Sequence, residues 1–284
     1  MLSASSLSST ASDLRRLDRD RFVLSLFAPD GAREALISLY AFNLEIARVR
    51  ELVTEPLLGR IRLQWWRDMI GRLFEGSAGS EHPIAVELGL VIRKHGLSRQ
   101  PFDDLFTARE LDLEPAPPDD LAALEAYAAG TSASLQLLAL EILGVTDNEP
   151  ARAAARHVGI AWALCGLLRA FPYHAASGRI VLPFSLMDEA GIDVADLLAG
   201  KPPRESLATV ARHVAEHAQS HLAQARAYRR DIPKAAIPAL LPGSLAESYL
   251  RRLGGKGYDL CDQNWSRPHP RPLFLAWRSW TRRY

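Results

Sequence analysis

The sequence predicts an all-α protein. Three observations carry that prediction. Apolar residues recur at three- and four-residue spacing along most of the chain, prolines and capping side chains stand where those stretches begin, and no series of alternating strands joined by tight turns occurs. Over residues 32–53 the apolar positions are Leu36, Leu39, Tyr40, Ile46 and Ala47, with Asp30 as the expected N-cap after Pro29. Residues 57–74 repeat the pattern through Leu63, Trp66, Ile70 and Leu73, and the Gly/Ser-rich stretch 76–80 closes it. Residues 83–94 and 101–111 each open with proline, which suits the first helical turn because that N–H has no intrahelical partner.

The stretch 114–120 holds three prolines and forbids a continuous helix. We read it as a surface loop of one bundle rather than a division between two domains. Beyond it, 121–129, 132–143 and 150–171 read as helices, the last with an apolar stripe through Ala153, His157, Ile160, Ala161, Leu164 and Leu168. A short extended piece is expected at 180–182, a long amphipathic helix at 204–229, and closing helices at 245–253 and 273–283. No internal repeat or sustained heptad is present. Residues 1–12 are rich in serine and read as a disordered tail, leaving 13–284 as the folded domain.

With 48% hydrophobic residues the chain can bury a substantial core. Its 34 basic and 33 acidic side chains balance to a formal charge of +1, which excludes a generally nucleic-acid-binding surface. Cys165 and Cys261 stand far apart without a C-x-x-C pattern, so they read as small core residues of a protein in a reducing compartment. No apolar run reaches the roughly 18–20 residues that span a bilayer. A soluble or peripherally attached protein is expected.

Two stretches carry the functional reading. The first is Tyr40-Ala41-Phe42-Asn43-Leu44-Glu45-Ile46-Ala47-Arg48-Val49-Arg50-Glu51. The second runs from Gly159 through Arg169-Ala170-Phe171-Pro172-Tyr173-His174 to Gly178-Arg179-Ile180-Val181-Leu182-Pro183. Both resemble the signature regions of the squalene/phytoene synthase family, whose helices hold aspartates one turn apart. Residues i and i+4 share a helix face, so two carboxylates at that spacing can share a metal ion. In the first region Tyr40, Ala41 and Phe42 match the family, Asn43 and Leu44 replace its cysteine and arginine, and the aspartate positions fall on Ala47, Arg48 and Glu51. In the second, Arg169, Gly178, Arg179, Leu182 and Pro183 match, and the aspartates fall on Ala170 and His174. Pro172 lies between these two positions and is expected to break the helix there.

The resemblance implies a single helical bundle of the isoprenoid synthase type. It also implies magnesium-dependent diphosphate ionisation, which needs carboxylates this chain lacks. No catalytic residue and no metal or other cofactor is therefore expected. Magnesium belongs only to the alternative of an active prenyl-diphosphate condensing transferase. Tyr40, Asn43, Glu51, Arg169, His174 and Arg179 are expected to line what remains of the substrate cavity, either filled or holding an isoprenoid or quinone lipid. A lipid carrier is a further alternative.

Stretches 41–45, 63–66, 83–88, 140–144, 168–174 and 278–280 resemble most closely the branch of this family formed by mitochondrial complex I assembly factors and their bacterial relatives. That branch also lacks the aspartates. The resemblance implies biogenesis of respiratory NADH:quinone oxidoreductase, with its subunits or other assembly factors as partners. The expected place is the cytoplasm, peripheral on the inner membrane, or the matrix side in an organelle.

His213, His217 and His221 stand at i, i+4 and i+8, and residues 213–217 formally fit H-x-x-E-H. With no third ligand nearby in sequence, they read as a solvated or half-buried helix face. Trp65, Trp66, Trp277, Trp280 and Tyr284, with Arg278, Arg282 and Arg283, suit either a membrane or partner surface or ordinary packing. The helix over 57–74 is expected to pack in the core.

Overall fold

The computed structural model describes residues 8–79 and 81–284, and no strand occurs among them. The chain begins with α1 (Ser9–Leu17), α2 (Arg19–Ser25), α3 (Asp30–Ala47) and the single turn α4 (Val49–Leu52). Next come α5 (Pro56–Phe74), α6 (Pro83–His95) and α7 (Gln100–Glu110). After the proline-rich loop, α8 (Leu121–Ala128) continues through a π-helical turn at Ala129–Ala133 into α9 (Ser134–Ile142), and α10 (Glu149–Ala176) follows. The remainder is α11 (Phe184–Glu189), α12 (Val194–Leu198), α13 (Arg204–Ala227), α14 (Ile237–Gly254), α15 (Gln263–Ser266) and α16 (Pro272–Trp280).

The long α10 is the spine, packed on α13, α14, α9, α8 and the π turn. α3 packs on α1, α2, α6 and α9. In the first half, Phe42 of α3 meets Trp66 of α5 and Phe102 and Phe106 of α7 at centroid distances of 5.4, 5.6 and 6.0 Å. One contiguous apolar core runs from Ala11 to Tyr284 and includes residues on both sides of the proline-rich loop. That loop is tied down where Phe184 and Ser185 donate their N–H groups to the carbonyls of Pro118 and Asp119.

Several local expectations change. Residues 9–12 form part of a helix and not a tail: Ser8 caps it by accepting from Ala11 N at 3.1 Å, and Thr10 donates to Glu87 at 2.9 Å. Residues 1–7 of the expected tail lie outside the described residues. Pro29 holds the N-cap position of α3, and Asp30 pairs with Arg33 one turn on. The helix expected over 32–53 is interrupted at Arg48.

Pro172 does not break α10, which continues through it to Ala176. The missing N–H costs one hydrogen bond. Buried Leu168 and Phe171 pin the turn before it, and a Schellman motif closes the end after it. Gly178 takes φ +79°, donating to Ala175 O at 3.0 Å, while Arg179 N donates to His174 O at 2.9 Å. α14 likewise begins earlier than its prolines suggest and runs through Pro242.

Gly159 marks a close helix contact. A Cβ there would overlap Ala133 Cα and lie 2.8 Å from Ser132 O, so α10 rests directly on the backbone of the π turn. Gly159→Ala is expected to lower the unfolding free energy by about 1–3 kcal/mol, because backbone cannot step aside as a side-chain tip can. The check is the urea midpoint against the parent chain.

Candidate functional site

Two buried polar clusters grow out of the signature segments. In the first, Arg169 on α10 places Nη1 3.0 Å from Asp20 Oδ2 on α2, and donates from Nε and Nη2 to the Ser266 carbonyl at 3.2 and 3.1 Å. Its guanidinium lies 3.8 Å from the centroid of the Tyr249 ring on α14. Tyr249 donates its hydroxyl to the same Asp20 oxygen at 2.8 Å and accepts from His269 N at 2.7 Å. Beside this cluster Arg21 lies between the Tyr40 ring of α3, at 5.8 Å, and the Trp162 ring of α10, at 6.0 Å. A guanidinium of the chain itself thus stands between the two signature helices. Burial pushes the Tyr40 hydroxyl up to about 12.

The second cluster centres on Asp112, which follows α7. Its carboxylate accepts from Arg109 at 3.0 Å, from the Tyr127 hydroxyl at 2.8 Å, and from Arg179. Arg109 also donates to Tyr127 Oη at 2.7 Å. The Schellman turn at Gly178 folds Arg179 back towards this acid. Burial alone raises the Asp112 carboxyl, but the Arg109 and Arg179 charges and the hydrogen bonds more than reverse it, holding it below the usual carboxylate range. Nearby His174 is lowered to about 4 by burial and then by the Arg179 charge, so it is neutral at pH 7.

The six residues expected around one cavity therefore divide. Tyr40 and Arg169 meet α2 through Arg21 and Asp20, whereas His174 and Arg179 gather at Asp112. Asn43 is buried on α3, and Glu51 on α4 pairs with Arg48 at 3.3 Å. Arg179 also borders a cleft of about 240 Å³ with Leu111, Tyr127, Leu167, Ile180 and Val181. That volume lies below the roughly 300–1,000 Å³ of ordinary small-molecule sites. The apolar residues of α3, α5 and α7 fill their region with aromatic rings.

The family's magnesium chemistry can be tested against the side chains present. Ala47 and Ala170 offer no ligand atom. The Glu51 carboxylate is engaged by Arg48, and His174 lies beside the Arg179 charge. Magnesium takes a near-octahedral set of oxygens and is held by carboxylates, so these positions do not fit it.

Sequence reading found Arg169 and Arg179 but missed the acids that hold them. Asp20 lies in a charge-rich run that reads as solvated. Its one signal is that it shares a helix face with buried Leu24 at i+4. Asp112 sits between Leu111 and Leu113 at a helix end, with nothing to announce a partner 67 residues away.

Comparison with known proteins now fixes the lineage. The squalene/phytoene synthase profile matches residues 14–274. The chain belongs to the squalene/phytoene synthase family. Among similar proteins, "NADH dehydrogenase (ubiquinone) complex I, assembly factor 6" of Bos taurus is 33% identical over 272 residues, covering 95% of this chain and 81% of that protein. Presqualene diphosphate synthase of Rhodopseudomonas palustris is 26% identical over 239 residues, covering 81% of each. Crystal structures share the fold. Squalene synthase HpnC from Alicyclobacillus acidocaldarius superposes with a TM-score of 0.75 at 22% identity, covering 88% of this chain and 93% of that one. A ligand-bound dehydrosqualene synthase gives 0.77 at 19% identity, covering 96% and 94%. The predicted all-α isoprenoid synthase fold is thus the observed one.

Proposed function

We propose that this member of the squalene/phytoene synthase family serves the assembly of respiratory NADH:quinone oxidoreductase, acting as a binding bundle and not as a prenyl condensing enzyme. The observation that carries the reading is the relationship over 95% of the chain to proteins named for complex I assembly. The site chemistry supports it, since Ala47, Arg48, Ala170 and His174 stand at four of the five aspartate positions. Partners would be subunits of that enzyme or other assembly factors.

No helix among the described residues is long and apolar enough to cross a membrane. α16 supports peripheral attachment: Leu273, Trp277 and Trp280 are 87%, 45% and 82% exposed and share one face. Arg282 and Arg283 are exposed just beyond them, while Tyr284 returns to the core and donates to Ala225 O at 2.9 Å. Trp66, by contrast, is core.

Deleting the gene in its source organism is expected to reduce fully assembled NADH:quinone oxidoreductase on native gels, with restoration by the intact chain. Unchanged assembly and activity would reject the assembly role. The similarity to presqualene diphosphate synthase keeps a second reading, an active transferase. Incubating purified protein with farnesyl or geranylgeranyl diphosphate and magnesium separates the two, because diphosphate release would establish the transferase.

A further inference from the structure

The H-x-x-E-H stretch of α13 resolves differently from its sequence pattern. His213 and Glu216 face solvent, whereas His217 is half-buried and His221 is buried. The latter two sit at i and i+4 on the inward face, the spacing at which two imidazoles on a helix grip one ion. A carboxylate joins them from another helix, 92 residues away in sequence: Glu125 of α8 places Oε2 2.7 Å from His217 Nε2 and 3.5 Å from His221 Nε2. The two Nε2 atoms are 3.4 Å apart. Three ligand atoms from two helices therefore converge on one point.

We propose that Glu125, His217 and His221 form a binding site for a divalent transition ion, zinc foremost, that fastens α8 to α13. The distances carry this assignment. At Zn–N lengths of about 2.0–2.1 Å, a tetrahedral ion sets its ligands roughly 3.3–3.4 Å apart. Two of the three edges, at 3.4 and 3.5 Å, already stand close to that length. The third, the His217–Glu125 hydrogen bond, opens by about 0.6 Å when the ion takes the place of its proton. The donor set, two imidazoles and one carboxylate, is the set that selects zinc-like ions over magnesium or calcium, which take oxygens. Three protein ligands leave a fourth position for water, and the Glu125 and His217 side chains, 37% and 26% exposed, leave the point open to solvent.

The surrounding shell agrees. His157 of α10 places Nδ1 2.9 Å from His221 Nδ1. With a metal on Nε2, His221 keeps its proton on Nδ1 and donates it to His157. Such an outer partner fixes the tautomer and orientation of a ligating histidine. His157 is therefore a positioning residue of the site, and α10 its third wall. The site is separate from the Asp20 and Asp112 clusters, and its test does not depend on the assembly role.

The experiment uses the full chain, stripped with chelator, loaded with zinc chloride and passed over a desalting column before metal analysis. About one zinc per chain is expected to remain, with none retained from magnesium chloride in a parallel sample. Glu125→Gln and His217→Ala are each expected to weaken zinc binding at least 10-fold in titration calorimetry. His157→Gln should weaken it roughly 10- to 100-fold, the usual outer-partner effect. His213→Ala, one turn away and exposed, should leave binding unchanged. Circular dichroism confirms that each variant is folded, and the two half-buried ligands, Glu125 and His217, carry the test should a change at buried His221 disrupt the helix. Failure to retain zinc, or equal retention by Glu125→Gln and His217→Ala, overturns the site.

Discussion

Replacing Asp112 with alanine is expected to destabilise the folded chain by about 3–5 kcal/mol, the cost of removing one partner from a buried ion pair. Asp112 is 4% exposed and accepts from two guanidiniums and a phenol. Its loss strands Arg109 and Arg179 side by side in a region of low dielectric, so repulsion adds to desolvation. The drop should appear as a lower urea midpoint at unchanged slope, since the native surface stays the same. Asp112→Asn keeps an acceptor but not the charge and should fall between the parent and the alanine variant.

The pH dependence follows from the same contacts. Because the folded-state carboxyl of Asp112 is depressed, its contribution is present above the ordinary value of 3.8 and is lost as pH falls through the lower folded value. His174 acts over a higher window. Below 6.5 the unfolded chain takes up a proton that folded His174 resists until about 4, so stability declines across that interval. His174→Gln should flatten the decline between those limits, whereas Asp112→Asn should flatten the more acid region and, by removing a charge that raises His174, extend the histidine's window to lower pH.

How much of this was legible in the sequence depends on the range of the interaction. Helix periodicity is local, and α5, α6, α7 and α13 lie within a residue or two of where apolar spacing and N-terminal prolines placed them. The misjudged boundaries are those where tertiary packing overrules a local rule. Pro172 and Pro242 both sit inside helices whose neighbouring turns are buried. Ser8 reads as part of a tail until it is seen capping a helix whose Thr10 reaches α6.

The site was legible only by half. Arg169, Arg179 and the paired histidines stand out through type and spacing, but each takes its role from a partner on a distant element. Asp20 is 149 residues from Arg169, Asp112 is 67 from Arg179, and Glu125 is 92 from His217. No periodicity encodes those separations. The reading of six residues around one cavity named neither Asp20 nor Asp112, the acids that engage both of its arginines.

Removing Arg169 is the second change with a large expected effect, and it bears on what the second signature now does. Arg169→Ala leaves Asp20 buried with only the Tyr249 hydroxyl to accept from, and it frees the Ser266 carbonyl of two donors. A loss of about 3–5 kcal/mol is expected. Asp20→Asn should cost less, because the amide can still accept through one oxygen. The double variant should be little worse than Arg169→Ala, giving a coupling of roughly 2–3 kcal/mol within the range for side chains that share a network. An arginine kept to meet a diphosphate would behave otherwise. Its removal would leave the unliganded protein as stable as before and would show no coupling to Asp20. The cycle, read by urea unfolding, thus distinguishes a ligand-facing arginine from one that fastens α2 and the Ser266 segment to α10. The contacts favour the fastening role, for Arg169 donates to Asp20 and to the Ser266 carbonyl and its guanidinium lies over the Tyr249 ring.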